Sequence, residues 1–116
     1  MASDKPQTQA IRRQSFKIEF DAVGQILVPI LKRLNWRRLE IKNDAFRVSA
    51  IRSGSALRDS ALKTFDYYLA ISWARHPSGV EVLVTVSEPE FDWSQEECER
   101  RCEEIVDSIT LRLAKL

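Results

Sequence analysis

Apolar side chains recur with two different periods along the chain. Between Asp66 and Ser87, Tyr67, Leu69, Ile71 and Trp73 alternate with Tyr68, Ala70, Ser72 and Ala74. Beyond Pro77-Ser78-Gly79, Val80, Val82, Val84 and Val86 alternate with Glu81, Leu83, Thr85 and Ser87. Period-two alternation of β-branched and aromatic residues around a Pro/Gly turn predicts a β-hairpin. One face of each strand is large and apolar and the other small or polar, so the sheet should be covered on one side and more open on the other. The same alternation predicts a short first strand through Phe16, Ile18 and Phe20. A second strand follows from Trp36 to Lys42, with Leu39 and Ile41 inward and Arg38, Glu40 and Lys42 outward. After an Asn43-Asp44 turn, a third strand points Phe46, Val48 and Ala50 inward and Arg47, Ser49 and Ile51 outward.

Two segments carry the helical period instead. Val23, Ile26, Leu27, Ile30, Leu31 and Leu34 form one apolar stripe, which predicts a helix capped by Asp21 and ending near Asn35. Pro29 lies on the polar side of that helix, where a lost hydrogen bond would bend the helix around the core. In the last segment, Ser94 to Glu97 is a capping box, with Trp93 and Cys98 placed as a hydrophobic staple. Cys98, Cys102, Ile105, Val106, Ile109, Leu113 and Leu116 give its buried stripe. The connection from Ser53 to Thr64 fits a short helix or a mobile loop, and Met1 to Arg13 is polar enough to be a mobile tail.

The predicted order is β-α-β-β-β-β-α. Residues 14–116 form a single α+β domain, a five-stranded antiparallel sheet with both helices on one face, after a tail at 1–13. At 116 residues the chain can bury a core without disulfides or metal.

Charge changes this picture in one respect. The net charge is +1, yet Lys32 to Lys63 holds nine basic residues against three acids, while Glu81 to Glu104 holds nine acids against two arginines. The split makes the domain an electric dipole if it persists in space, and disappears if salt bridges close it internally. The first ten residues lack an apolar stretch of the kind secretory signals carry, and no run is long enough to span a membrane. With only two cysteines, four apart on a helix, a cytoplasmic setting is expected.

Candidate chemistry is sparse. His76 lies in a turn with no partner at metal-ligand spacing. Cys98 and Cys102 fall on the buried stripe, without the Cys-x-x-Cys spacing of redox pairs or enough further ligands for zinc. The acids of the last helix complement its dipole, and Glu97 and Arg101 form an i, i+4 pair. Neither a phosphate-binding glycine loop nor a hydrolase triad is present, so the expectation is a non-enzymatic protein with no cofactor.

What folding leaves unexplained is the open sheet face. Arg38, Arg47, Tyr68, Ser72, Leu83 and Thr85 are its candidate contacts, for a protein partner or for self-association. Nucleic acid is a weaker candidate, because stacking on bases wants more exposed aromatics than Tyr68 and Trp36. The element order resembles the compact TBP-like architecture and the neighbouring helix-grip fold. It is also similar to small bacterial domains of unknown function, which carry an aromatic and a glycine where this chain has Phe65-Asp66. The helix-grip resemblance implies an alternative, a small ligand or lipid held under the final helix. The bulky inward set of Phe16, Phe20, Trp73 and the four valines argues that this space is filled.

Overall fold

A computed structural model describes residues 8–58, 61–88 and 95–114. Five strands, β1 (Thr8–Phe16), β2 (Arg37–Lys42), β3 (Arg47–Arg58), β4 (Ala61–His76) and β5 (Gly79–Glu88), pair antiparallel in the order β1-β5-β4-β3-β2. Helix α1 (Val23–Arg33) links the two edge strands, and α2 (Gln95–Ala114) lies across β1 and β5 and against α1. The α+β class and the antiparallel five-stranded sheet are as the alternation predicts.

The core is the layer between sheet and helices. Val80, Val82, Val84 and Val86 of β5 are buried, as are Cys98, Cys102, Ile105 and Ile109 of α2 and Val23, Leu27 and Leu31 of α1. Each fully buried aliphatic side chain contributes about 1.5–3 kcal/mol of transfer free energy. The β4–β5 turn is tight, with His76 opposite Gly79. Gly79 has φ +145°, and a Cβ there would meet the Phe16 carbonyl oxygen at 2.1 Å, so only glycine lets this turn close over the end of β1.

Several boundaries differ from expectation. β1 begins at Thr8, so part of the expected tail is strand, in register from Thr8 opposite Glu88 to Phe16 opposite Val80. Its inward positions are occupied by Ala10 and Arg12, small or charged residues that hide the apolar period. Ala10 fits because its carbonyl accepts the Cys102 thiol at 3.3 Å, and Arg12 reaches Glu103 at 3.1 Å. Residues 1–7 lie outside the described residues. Phe20 is not in a strand but in a 3-10 turn (Phe20–Ala22) that runs into α1. Ala22 has helical angles and no side chain caps the helix, so Asp21 stays exposed within the turn. The capping box and staple at 93–97 begin outside the described residues, and α2 is described from Gln95.

At the other end of α1, Asn35 adopts φ +68°, Trp36 N–H donates to Leu31 O at 3.0 Å and Asn35 N–H to Lys32 O at 3.1 Å. This Schellman arrangement satisfies two helix-end carbonyls and turns the chain so that Trp36 is buried before β2. The helix continues through Pro29, which is exposed.

The stretch from Ser53 to Thr64 is neither helix nor loop over most of its length. β3 and β4 pair continuously from Arg47–Ser72 to Arg58–Ala61, and only 59–60 lie outside the described residues. The last six of these pairs, from Ser53–Asp66 outward, extend past the final partners of β2 and β5 as a two-stranded arm.

Candidate interaction surface

The sheet registers arrange the open face as a grid. Across the sheet from β1 to β2, one row reads Gln9, Ser87, Tyr68, Ile51, Arg37, and the next Ile11, Thr85, Ala70, Ser49, Glu40. A third reads Arg13, Leu83, Ser72, Arg47, Lys42, with Ser15, Glu81 and Ala74 beyond it. Among the described residues no element lies over this face. Tyr68 is 44% exposed although it belongs to the central strand, and Ile11 on the edge is 50% exposed. Ala70 is exposed, and with Ser72 and Thr85 it leaves only small side chains between Tyr68 and Leu83.

Five of the six candidate contacts, Arg47, Tyr68, Ser72, Leu83 and Thr85, fall in adjacent rows. Arg38 does not take a row position. Its φ is +53°, and the β2–β3 register shifts between Arg37 and Glu40, so Arg38 is the residue inserted by a bulge and Arg37 stands opposite Ile51. Gln9, Ile11 and Arg13 were hidden by the polarity of β1. Their alternation with Ala10, Arg12 and Gln14 is the signal that points to them.

The charges are distributed unevenly on the grid. Arg37, Lys42 and Arg47 occupy the β2–β3 half, with Glu40 among them. On the opposite half Arg13 faces Glu81 at 3.7 Å. Of the nine basic residues of 32–63, Arg52 alone meets the acidic segment in an ion pair among the described residues, so the charge split seen along the sequence largely persists in space. Arg12 pairs with Glu103 at 3.1 Å, and Arg52 reaches Glu104 at 3.6 Å while donating to the Leu34 carbonyl at 2.7 Å. Arg101 pairs with Glu97 at 2.8 Å, and Arg100 also bonds Glu97. Burial, with Arg101 nearby, pushes the Arg52 pKa down, and the carboxylates of Glu104 and Glu97 oppose that shift.

Cys102, Tyr67 and His76 are held by folding. The Cys102 thiol is pushed up to about 11 by burial, and the Tyr67 phenol to about 12 by burial and then by the charge of Glu97. His76 Nδ1 accepts the Ser78 N–H at 3.2 Å and lies 2.8 Å from the Ser78 hydroxyl, which pins the turn. Among the described residues no three His, Cys, Asp or Glu side chains converge as metal ligands.

A second concavity lies on the helix side, at the corner between α1 and the β2–β3 turn. Ile41 faces the helices, opposite buried Val48, yet is 42% exposed, as is Phe46. Phe46 has φ +53° and precedes β3 rather than pointing inward from it; its ring meets Phe20 edge-on at 4.7 Å. With Val28 and Trp73 these residues line a crevice of about 390 Å³. Its remaining lining is Asp21, Gly24 and Gln25.

No family model and no curated protein matches the sequence. Solved structures do. The chain is similar to protein MLL2253 from Mesorhizobium loti, with a TM-score of 0.57 and 9% identity over 92% of this chain and 97% of that one. It also matches TTHA0849 from Thermus thermophilus, with a TM-score of 0.49 and 14% identity over 95% of this chain and 98% of that one. At these identities the likeness to the Mesorhizobium protein is one of fold: an antiparallel sheet carrying helices, spanning nearly the whole of both chains.

Proposed function

We propose that this protein is a non-enzymatic interaction domain or accessory subunit that binds a protein partner through the open sheet face. The observation that carries this reading is the exposure of Tyr68 on the central strand, next to the small side chains of Ala70 and Ser72, with Leu83 two rows further along the same face. Interface hot spots favour such amphipathic aromatics with polar groups around them. Arg37, Arg47 and Lys42 on one side favour a partner that presents an apolar ridge flanked by carboxylates. The helix-grip-like reading of the architecture is supported by α2 lying across β1 and β5. A ligand under α2 is disfavoured, because Cys98, Cys102, Ile105 and Ile109 are already buried against the valines. Two buried cysteines outside any disulfide accord with a cytoplasmic setting.

The test is affinity purification from the native host with quantitative mass spectrometry, comparing the wild type with a Tyr68→Ala/Leu83→Asp variant of unchanged circular dichroism. Truncating an aromatic hot spot costs about 2 kcal/mol or more, so a specific partner should fall about thirtyfold in affinity. Retention of every partner by the double variant sinks the proposal.

A further inference from the structure

The open sheet face and the outer face of α2 carry opposite charge, and much of that charge is unpaired. On the sheet, Arg37, Lys42 and Arg47 are exposed along β2 and β3, with Glu40 between them. None of the three cations forms an ion pair with a described residue. On α2, Glu96, Glu103, Asp107 and Leu111 recur at helical spacing and share one outward stripe. All four are exposed, Leu111 at 63%. Glu103 is shared with Arg12, whereas Glu96 and Asp107 form no ion pair with a described residue. Arg100, the cation on the stripe, is bonded to Glu97. Over its whole length α2 holds six acids against three arginines.

Spacing and direction agree with the charge. Arg37 and the Arg47–Lys42 pair lie two rows apart on the grid, about 13 Å at ordinary strand rise. Glu96 and Asp107 are separated by about 16 Å along the helix axis, a difference that long side chains absorb. Leu111 lies one turn beyond Asp107, so the stripe joins an apolar side chain to carboxylates, as the sheet face favours. The helices cover one side of the sheet, so this stripe and the open face point in opposite directions. One copy can therefore offer its helix to the sheet of the next while its own sheet stays free. Such a contact is heterologous and repeats.

We propose that the open sheet face binds a second copy of this chain, whose α2 lies along β2 and β3 with Glu96 and Asp107 facing Arg37, Lys42 and Arg47. The inference rests on the open face being a binding surface and names its occupant. One helix of 20 residues covers a strip about 30 Å long and about 10 Å across, which belongs with small, transient interfaces. The dissociation constant is on the order of 100 µM, and the assembly is a short head-to-tail stack rather than a closed dimer.

Sedimentation velocity between about 0.02 and about 1 mM protein tests it. The average mass should rise with concentration at about 20 mM salt, and the association should weaken about tenfold at about 500 mM. Lys42→Glu/Arg47→Glu reverses the sheet surface and Glu96→Lys/Asp107→Lys the helix surface, all at exposed positions. Each double variant alone should stay monomeric, because like charges then face each other. Mixed in equal amounts they should associate again, since each reversed surface meets its complement. A wild type that remains monomeric at about 1 mM and low salt overturns the proposal, as does a mixture no heavier than its components. So does undiminished association of either variant alone. A monomeric wild type whose host partners are lost on Tyr68→Ala/Leu83→Asp would remove the second copy as occupant and leave the open face a binding surface.

Discussion

Cys102 shows how a residue with reactive chemistry becomes a structural one. Its thiol is fully buried and donates to the Ala10 carbonyl, a bond that needs the proton. Ionisation in place is therefore opposed, and the folded pKa rises from 9.0 to about 11. Tyr67 follows the same logic, rising from 10.0 to about 12. An acid whose folded pKa lies above its unfolded value keeps its proton longer in the native state. As the pH passes the unfolded value the unfolded chain loses protons first, so stability is full below about pH 9, falls from there, and reaches its lower plateau near pH 12. Each group accounts for on the order of 2 kcal/mol of that fall. Urea denaturation at about pH 8 and about pH 11 measures it. Cys102→Val should show a drop smaller than the wild type's by about 2 kcal/mol. An identical drop in both proteins would remove Cys102 as the source.

At the level of elements, the same side chains explain what was readable in the sequence and what was not. The β4–β5 hairpin and α2 were legible because their buried faces are made of large apolar residues at a strict period. β1 was not, because its inward face uses Ala10 and Arg12, whose places are dictated by Cys102 and Glu103 on α2. Its exposed partners Ile11 and Arg13 were lost with it, as was part of the candidate face. Arg38 was misplaced on the grid because a bulge shifts the alternation by one and leaves no apolar signature. The crevice was illegible for a related reason: Ile41 and Phe46 read as ordinary core residues, and strand alternation does not say whether a helix covers them. Arginines also join elements unequally. Arg52 is partly buried, caps the Leu34 carbonyl at the end of α1 and meets Glu104 of α2, so it ties three elements together. Arg12–Glu103 is more exposed. Arg52→Ala should therefore cost about 2–3 kcal/mol, against about 0–1 for Arg12→Ala. Urea midpoints decide this, and equal losses would mean that the Leu34 bond carries no weight.

For the molecule as a whole, the sheet is covered on one side, open on the other, and continued at one end by the β3–β4 arm. Six residue pairs long, the arm extends about 20 Å at ordinary strand rise. A two-stranded ribbon is marginal in water unless a third strand or a packed face supports it. Leu62 on the arm is 68% exposed, and Ala61, Thr64 and Asp66 are also exposed, so within this chain the arm has little to lean on. Its opening should be nearly independent of global unfolding, whereas β4 and β5 between Leu69 and Val86 open only with the core. Native-state hydrogen exchange separates the two. In dilute protein, amides of Ser55 and Thr64 should exchange at least about a hundredfold faster than those of Ile71 and Val84. Comparable protection at both places in a strictly monomeric sample would show that the arm is stabilised from within the chain. Protection that rises with concentration would instead show a second copy covering it, which would bring self-association to the end of the sheet where Tyr68 is exposed.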